Sequence, residues 1–309
     1  IGWAKEDGGR RPSMRDWKSY NDQLVKRGEL LISLDFLENW DLELERMNSG
    51  KRGRAFIYPE GFVKFLAPIR VFFGLPYRQE EGFVRALAKI LPALKVPDYT
   101  TIYRRVSKFV PEFEESVSNI GEEIVIALDS TGIKVGERGE WVRELYGKKG
   151  KLGYLKIHVA VDVETKQILA IEVTDEKVAD CEKLKELVQG AEMYARVVRV
   201  LADGAYDSKE NFDFLEAKGI EPGIKPRRSS SGKARGSWSR MYTVREFLDD
   251  EEAWKLKVGF GKRWYVESAF SSFKRTFGEF VSAKKFEHMV NELKLKAFTY
   301  NLLISLVKP

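Results

Sequence analysis

Apolar residues along this chain follow two regimes that change over near residue 120. Between Tyr58 and Val110 they recur at helical spacing: Phe62, Phe65, Leu66, Ile69, Phe72 and Phe73 mark one helix, and Phe83, Leu87, Ile90 and Leu91 mark a second. Gly74-Leu-Pro76 breaks the two apart, and Pro76 suits the start of the second. Pro97-Asp98 opens a third helix, with Asp98 placed to cap it and Tyr103, Arg104, Arg105 and Lys108 inside it. Upstream, a basic start with Arg10, Arg11, Arg15 and Lys18 leads into an amphipathic stretch from Tyr20 to Trp40, and Gly50-Lys-Arg-Gly-Arg54 has the composition of a linker.

After residue 120 the period shortens to that of strands. Ile124–Leu128 is an unbroken apolar run, Leu155, Ile157, Val159 and Val161 alternate with Lys156, His158 and Ala160, and Ile168–Val173 follows a turn at Glu164-Thr-Lys166. Asp180 to Ala195 reads as a helix, Val197–Ala202 as a strand, Asp207-Ser-Lys-Glu210 as a capping box opening another helix, and Ile220–Ile224 as a fifth strand. Three strands, a helix, a strand, a helix and a strand is the order of a ribonuclease-H-like α/β fold, a mixed sheet with flanking helices. The early strands can pair as a meander, and the later ones need helical crossovers. An all-α, helix-turn-helix-like region precedes it.

Composition narrows the classes. The chain is 43% hydrophobic and 32% charged, enough for a substantial core under a polar surface. No apolar run approaches the roughly 18 residues that span a bilayer, so no membrane partner is expected. The start at Ile1 has no apolar leader, which predicts a cytoplasmic, nucleoid-associated protein, and the absence of Met there suggests a missing or trimmed natural N-terminus. One cysteine, Cys181, rules out an intrachain disulfide and a thiolate zinc cluster. Two histidines, His158 and His288, are too few for a His-based zinc site, and His158 reads as a sheet-surface residue. A net charge of +6 favours a polyanionic partner. Lys225, Arg227, Arg228, Lys233, Arg235 and Arg240 lie among Ser and Gly with no acidic residue between them. That insert reads either as a solvated loop or as a flexible clamp on a nucleic-acid backbone. Trp238 within it could stack on a base or pack locally.

Three acids stand out against this frame. Asp129 ends the first apolar run, Asp203 ends the run Val197–Ala202, and Glu267 lies in the basic, aromatic segment Lys262–Arg275. Carboxylates are the hard ligands that Mg²⁺ prefers, and two such ions can activate an attacking oxygen and stabilise a leaving one in phosphodiester chemistry. On a helix through Glu267, Arg263, Glu267, Ser271 and Lys274 share a face beside an apolar stripe of Val266, Phe270, Phe273 and Phe277. Arg263 and Glu267 could equally form a plain i, i+4 ion pair.

Asp129-Ser-Thr-Gly132, Ala202-Asp203-Gly-Ala-Tyr206-Asp207 and Arg263-x₃-Glu267-x₆-Lys274 resemble the DDE transposases of prokaryotic insertion sequences. Tyr20–Leu30, Phe73–Gly82 and Val96–Arg105 are similar to the insertion-sequence-five group. Where that signature has a Tyr three residues before the Arg, this chain has Phe260, which keeps the ring and loses the hydroxyl. The resemblance implies that Asp129, Asp203 and Glu267 hold two Mg²⁺ (Mn²⁺ substituting) and that Arg263 and Lys274 orient phosphates. It implies a transposase that binds double-stranded DNA at terminal repeats, cleaves the element ends and joins the 3′-hydroxyl to target DNA, as a homodimer or higher oligomer. A catalytically silent DNA-binding descendant, and a nuclease that cuts without joining, are the competing readings. The expected organisation is an N-terminal basic region (1–54), a DNA-binding helical region (55–118) with Arg104 and Arg105 in its recognition helix, and a catalytic domain (119–309). Within the last, the basic insert (near 225–255) would bring Arg227, Arg228, Lys233 and Arg235 to DNA.

Overall fold

The helix breakers upstream of residue 110 act where the pattern places them. In the computed structural model, which describes residues 17–31, 33–136, 153–227, 229–233 and 236–305, the chain opens with α1 (Trp17–Leu31), α2 (Trp40–Asn48), α3 (Glu60–Phe73), α4 (Tyr77–Ile90) and α5 (Tyr99–Val106). Arg10, Arg11 and Arg15 lie outside the described residues. Gly74 ends α3 at φ +62°, a left-handed conformation that suits glycine. Pro76 occupies the N-cap of α4. Asp98 caps α5, accepting from the Thr100 and Thr101 backbone N–H groups at 2.8 and 3.1 Å.

The strand pattern downstream builds β1 (Glu123–Val135), β2 (Tyr154–Asp162), β3 (Ile168–Asp175), β4 (Arg196–Ala202) and β5 (Glu221–Ile224), in the spatial order β3-β2-β1-β4-β5. The first three pair antiparallel, while β4 joins β1, and β5 joins β4, in parallel. Helix α6 (Leu184–Ala191) carries the chain from β3 across to β4, and α7 (Lys209–Ala217) from β4 to β5, giving the mixed sheet and flanking helices of the ribonuclease-H-like order. Then come α8 (Trp238–Asp249), α9 (Glu251–Val258), α10 (Trp264–Phe277), a short β6 (Phe280–Val281) and α11 (Phe286–Ser305).

Alternation along the strands feeds two apolar clusters on opposite faces. Ile124, Ile126 and Leu128 point with Val197, Val200 and Ala202 toward α6 and α7. Ala127, Ile133, Ile157, Val159 and Leu201 join Val266, Phe270 and Phe273 of α10 and Leu293 and Ala297 of α11. The second cluster continues without a break into the N-terminal helices through Phe62, Leu66 and Ile102. One irregularity sets the parity. Ile124 pairs with Val197, but Val125 pairs with Arg199, so β4 carries one extra residue at Val198. Beyond that bulge Ile126 meets Val200 and Ala127 meets Leu201, matching faces again.

Four sequence expectations need correcting. β1 does not stop at Asp129; it runs on to Val135, because Gly132 to Lys134 pair with β2 and its last two residues pair with β6, which no local pattern reveals. The helix expected over 180–195 is a 3₁₀ turn (Asp180–Lys183) followed by the shorter α6. The basic insert is largely ordered, since α8 begins at Trp238 behind a Ser237 cap, and Lys225 is paired with Glu251 at 3.0 Å. His158 is fully buried rather than at the sheet surface. Its Nε2 lies 3.0 Å from Thr174 Oγ1 and its Nδ1 lies 3.2 Å from Asp180 Oδ1, which the 3₁₀ turn brings over the sheet.

Two buried polar groups generate tests of this architecture. Asn301 of α11 is completely enclosed, and its amide accepts from the Ile168 N–H at 2.8 Å and donates to the Ile168 C=O at 2.7 Å. It thereby completes the backbone of β3. Asn301→Leu keeps the branched shape but strands both groups, and should cost about 2–4 kcal/mol in urea unfolding; a change below about 0.5 kcal/mol would contradict the bridging role.

Glu80 of α4 is also enclosed, with Arg70 4.0 Å away, and burial pushes its carboxyl up to about 8, against the partial pull of Arg70. A folded-state pKa raised above the unfolded value means that stability is progressively lost as pH rises from about 4.5 to about 8 and is flat beyond. Glu80→Gln, which cannot ionise, should therefore gain on the wild type by roughly 4 kcal/mol between about pH 5 and about pH 9. An identical stability difference at both values would show that Glu80 does not titrate in this window.

Candidate active site

Strand parity places the acids. Asp129 follows Leu128 and so shares the face of Ala127, under α10, whereas Ser130 faces the other way. Past the β4 bulge, Leu201 shares that same face, and Asp203, extended at φ −80° and ψ −178°, follows it in parity. Continuing the register from Ala127 and Leu201 by two residues brings Asp203 level with Asp129. Glu267 lies in the first turn of α10, whose stripe of Val266, Phe270, Phe273 and Phe277 is buried against the sheet as the spacing predicts.

Arg263, at the end of the turn leading into α10, links two of the acids. Its Nη1 stands 3.5 Å from Asp129 Oδ2, and its Nη2 donates to Glu267 Oε1. The i, i+4 ion pair foreseen as one reading is thus present, and Asp129 is added to it. Asp129 also accepts from the Ser130 N–H at 2.9 Å, and Asp203 accepts from the Ala205 N–H at 2.9 Å. Burial raises the Asp129 carboxyl above its ordinary range, and the charges of Asp203 and Glu267 push the same way; Ser130 N–H and Arg263 oppose them. That mutual repulsion is an electrostatic demand for a cation. Among the described residues, no three His, Cys, Asp or Glu side chains stand close enough together to hold a metal ion in this arrangement. The all-oxygen donor set itself suits a hard divalent cation, and Arg263 supplies positive charge between two of its members.

A cleft of about 520 Å³ opens beside these groups, lined by Asp129, Thr131, Glu267, Ser271, Lys274 and Arg275 among others. Lys274 therefore shares the cleft with Glu267, and Arg275 adds a cation that the helix-face argument did not single out. Beneath the acids, the Tyr206 hydroxyl is wholly buried, with no hydrogen-bond partner among the described residues. Burial and the nearby charges of Asp180, Asp129 and Asp203 hold it well above the usual phenol range, hence protonated. Its place next to Asp203 in Ala202–Asp207 was visible in the sequence, but its inward direction was not.

The remaining basic residues divide. On α5, Arg104 is exposed, whereas the Arg105 guanidinium donates to the Tyr58 carbonyl at 3.1 Å and lies 5.0 Å from the Phe56 ring. Lys233 is exposed, Arg227 rests on the Asp203 turn, and Arg228 and Arg235 lie outside the described residues. Asp207 does not cap α7 as expected. Ser208 does, accepting from the Asn211 N–H at 3.2 Å, because Arg240 of α8 takes the Asp207 carboxylate with bonds of 2.6 and 3.0 Å.

Among solved structures the chain is similar to the Drosophila P element transposase strand transfer complex, at 12% identity and a TM-score of 0.32, with 65% of this chain and 43% of that chain covered. The chain thus spans less than half the length of that relative. Two family models match, each described as a transposase DDE domain, one over residues 25–138 and the other over residues 120–302. The latter alone covers more than half of the 309 residues and contains all three acids with Arg263 and Lys274, so this chain belongs to the DDE transposase family.

Proposed function

We propose that this chain is the transposase of a prokaryotic insertion sequence of the insertion-sequence-five group, which cuts DNA at the element ends and joins the freed 3′-hydroxyl to target DNA. The observation that carries this reading is the convergence of Asp129, Asp203 and Glu267, from two adjacent strands and the helix laid over them, beside a cleft whose rim carries Lys274 and Arg275. Asp129, Asp203 and Glu267 would hold two Mg²⁺ ions, which when bound activate the attacking oxygen and stabilise the leaving one.

The chain's own residues do the rest. Lys274 and Arg275 neutralise backbone phosphates entering the cleft, and the protonated Tyr206 keeps a neutral group beside Asp129 and Asp203. Arg263 has two alternative partners. In this arrangement it neutralises Asp129 and Glu267, and with DNA present a phosphate can take it over, freeing both carboxylates. The exposed Arg104 on α5 fits a role in reading end DNA, with 55–118 as the recognition region and 119–309 as the catalytic one. Synapsis of two ends requires two or more copies of the chain. Among the described residues no helix is long and apolar enough to cross a membrane.

Incubation with the element's own end DNA and Mg²⁺ tests the reading directly. Asp129→Asn, Asp203→Asn and Glu267→Gln should each slow end cleavage by ~100-fold or more while retaining end binding. Ca²⁺ should support binding but little cutting, since it tolerates looser coordination than Mg²⁺. Cleavage without strand-transfer products would identify a nuclease instead, and undiminished cutting by any one variant would remove that residue from the site.

Arg263→Gln should bind Mn²⁺ about tenfold more tightly than the wild type when DNA is absent, because no guanidinium competes for Asp129 and Glu267. Its cleavage should nevertheless be slow. Titration calorimetry showing equal Mn²⁺ affinity would argue that Arg263 does not contest the site.

A further inference from the structure

The insert that the sequence presents as loose is anchored by a single buried carboxylate. The Asp207 side chain is fully enclosed and accepts four hydrogen bonds: Arg240 Nε at 2.6 Å, Arg240 Nη2 at 3.0 Å, Ser230 Oγ at 2.9 Å and the Arg227 backbone N–H at 3.0 Å. A carboxylate has about four lone-pair positions, so this one is saturated. A buried charge so completely paired resists partial loosening, since removing one partner leaves the others with an uncompensated ion. Asp207 lies four residues beyond Asp203, so the clamp ties the insert to the turn that carries a candidate metal ligand.

The contact with that turn is close on its other side too. Lys225 N–H donates to the Ala202 carbonyl at 2.9 Å, extending the β4–β5 pairing to the residue before Asp203. A methyl group placed on Gly204 would meet Arg227 Cγ and the Lys225 carbonyl at 3.4 Å each, so turn and insert are already in contact. Arg227 Nε donates to the Gly204 carbonyl at 2.8 Å, which fixes the guanidinium against the turn. Arg227 is nonetheless exposed. The Nε bond leaves the outer edge of its planar fork free to meet an anion. Asp203 and Arg227 are not among the residues lining the cleft that holds Lys274 and Arg275.

We infer that Arg227 is a phosphate ligand of the active site, set beside Asp203 by the Asp207–Arg240 clamp, and that it grips the DNA backbone next to the scissile phosphate. This rests on the proposed function and gives the Asp203 side of the site a cation of its own. It also separates Arg227 from the rest of the insert. Lys233, exposed and outside the clamp, contributes affinity without touching the chemical step.

The test uses the full chain, end DNA and Mg²⁺, with single-turnover cleavage at saturating DNA and a separate measurement of Kd. Arg227→Gln should lower the cleavage rate by ~30-fold while changing Kd less than about threefold, and Lys233→Gln should do the reverse. Arg227→Lys should recover little, because one ammonium cannot both hold the Gly204 carbonyl and reach a phosphate. A purely structural role is separated by replacing single phosphates near the cut with uncharged methylphosphonates. One such position should slow the wild type by ~10-fold or more and leave Arg227→Gln unaffected, the signature of a direct contact. Equal slowing of both proteins at every position overturns the inference, as does an unchanged rate in Arg227→Gln. Wild type and Asp203→Asn that are equally inert would remove the proposed function, and this assignment with it.

Discussion

The extra residue at Val198 is the constraint on which the acidic face depends. Side chains in a strand alternate, so two adjacent parallel strands present matching faces only if their registers agree in parity. Val197 and Val200, three apart, both face α6 and α7, which a regular strand would forbid. The bulge absorbs the odd residue, and everything C-terminal to it is shifted by one. Without that shift Asp203 would fall one position out of step with Asp129 and turn toward the opposite cluster. The site therefore depends on a backbone irregularity several residues away from any charged group.

Above those two strands, α10 adds the third acid through packing alone. Its apolar stripe of Val266, Phe270 and Phe273 seats the helix on the face of Ala127 and Val159, and the rotation that buries those rings turns Glu267, Ser271 and Lys274 toward the cleft. Arg263 then pairs with Asp129, whose ionised form burial and the neighbouring acids make costly, and with the exposed Glu267. The geometry of the acidic face is thus a by-product of core packing, with Arg263 as its charge balance.

Much of this was legible in the sequence because it is written in local periods. The strands, the helices between Tyr58 and Val110, and the orientation of α10 all follow from spacings of two or of three and four. What escaped depends on partners far away in the chain. Ser-Thr-Gly after Asp129 looks like a turn, yet it is held in a strand by β2 and β6. Asp207 has the local form of a helix cap, but Arg240, thirty-three residues later, outcompetes the N–H groups of α7. His158 sits at an alternating polar position, and only the 3₁₀ turn carrying Asp180 encloses it. The run from Lys225 to Arg240 looks unstructured because Ser, Gly and like charges dominate it, while the acids that neutralise it, Asp207 and Glu251, lie outside that run.

The apolar cluster that runs unbroken from Phe62 and Ile102 through α11 to Phe273 has a mechanical meaning. Asn291 of α11 donates to the Val106 and Ser107 carbonyls at 3.2 and 3.1 Å, pinning the end of α5 to the helix that also braces β3. A surface on α4 and α5 is therefore tied, through shared core packing, to the body that carries Asp129. Under the proposed function, in which DNA is gripped at one place and cut at another, such a body would work as a caliper. The number of base pairs between the recognised sequence and the cleaved bond would be set by the width of the fold.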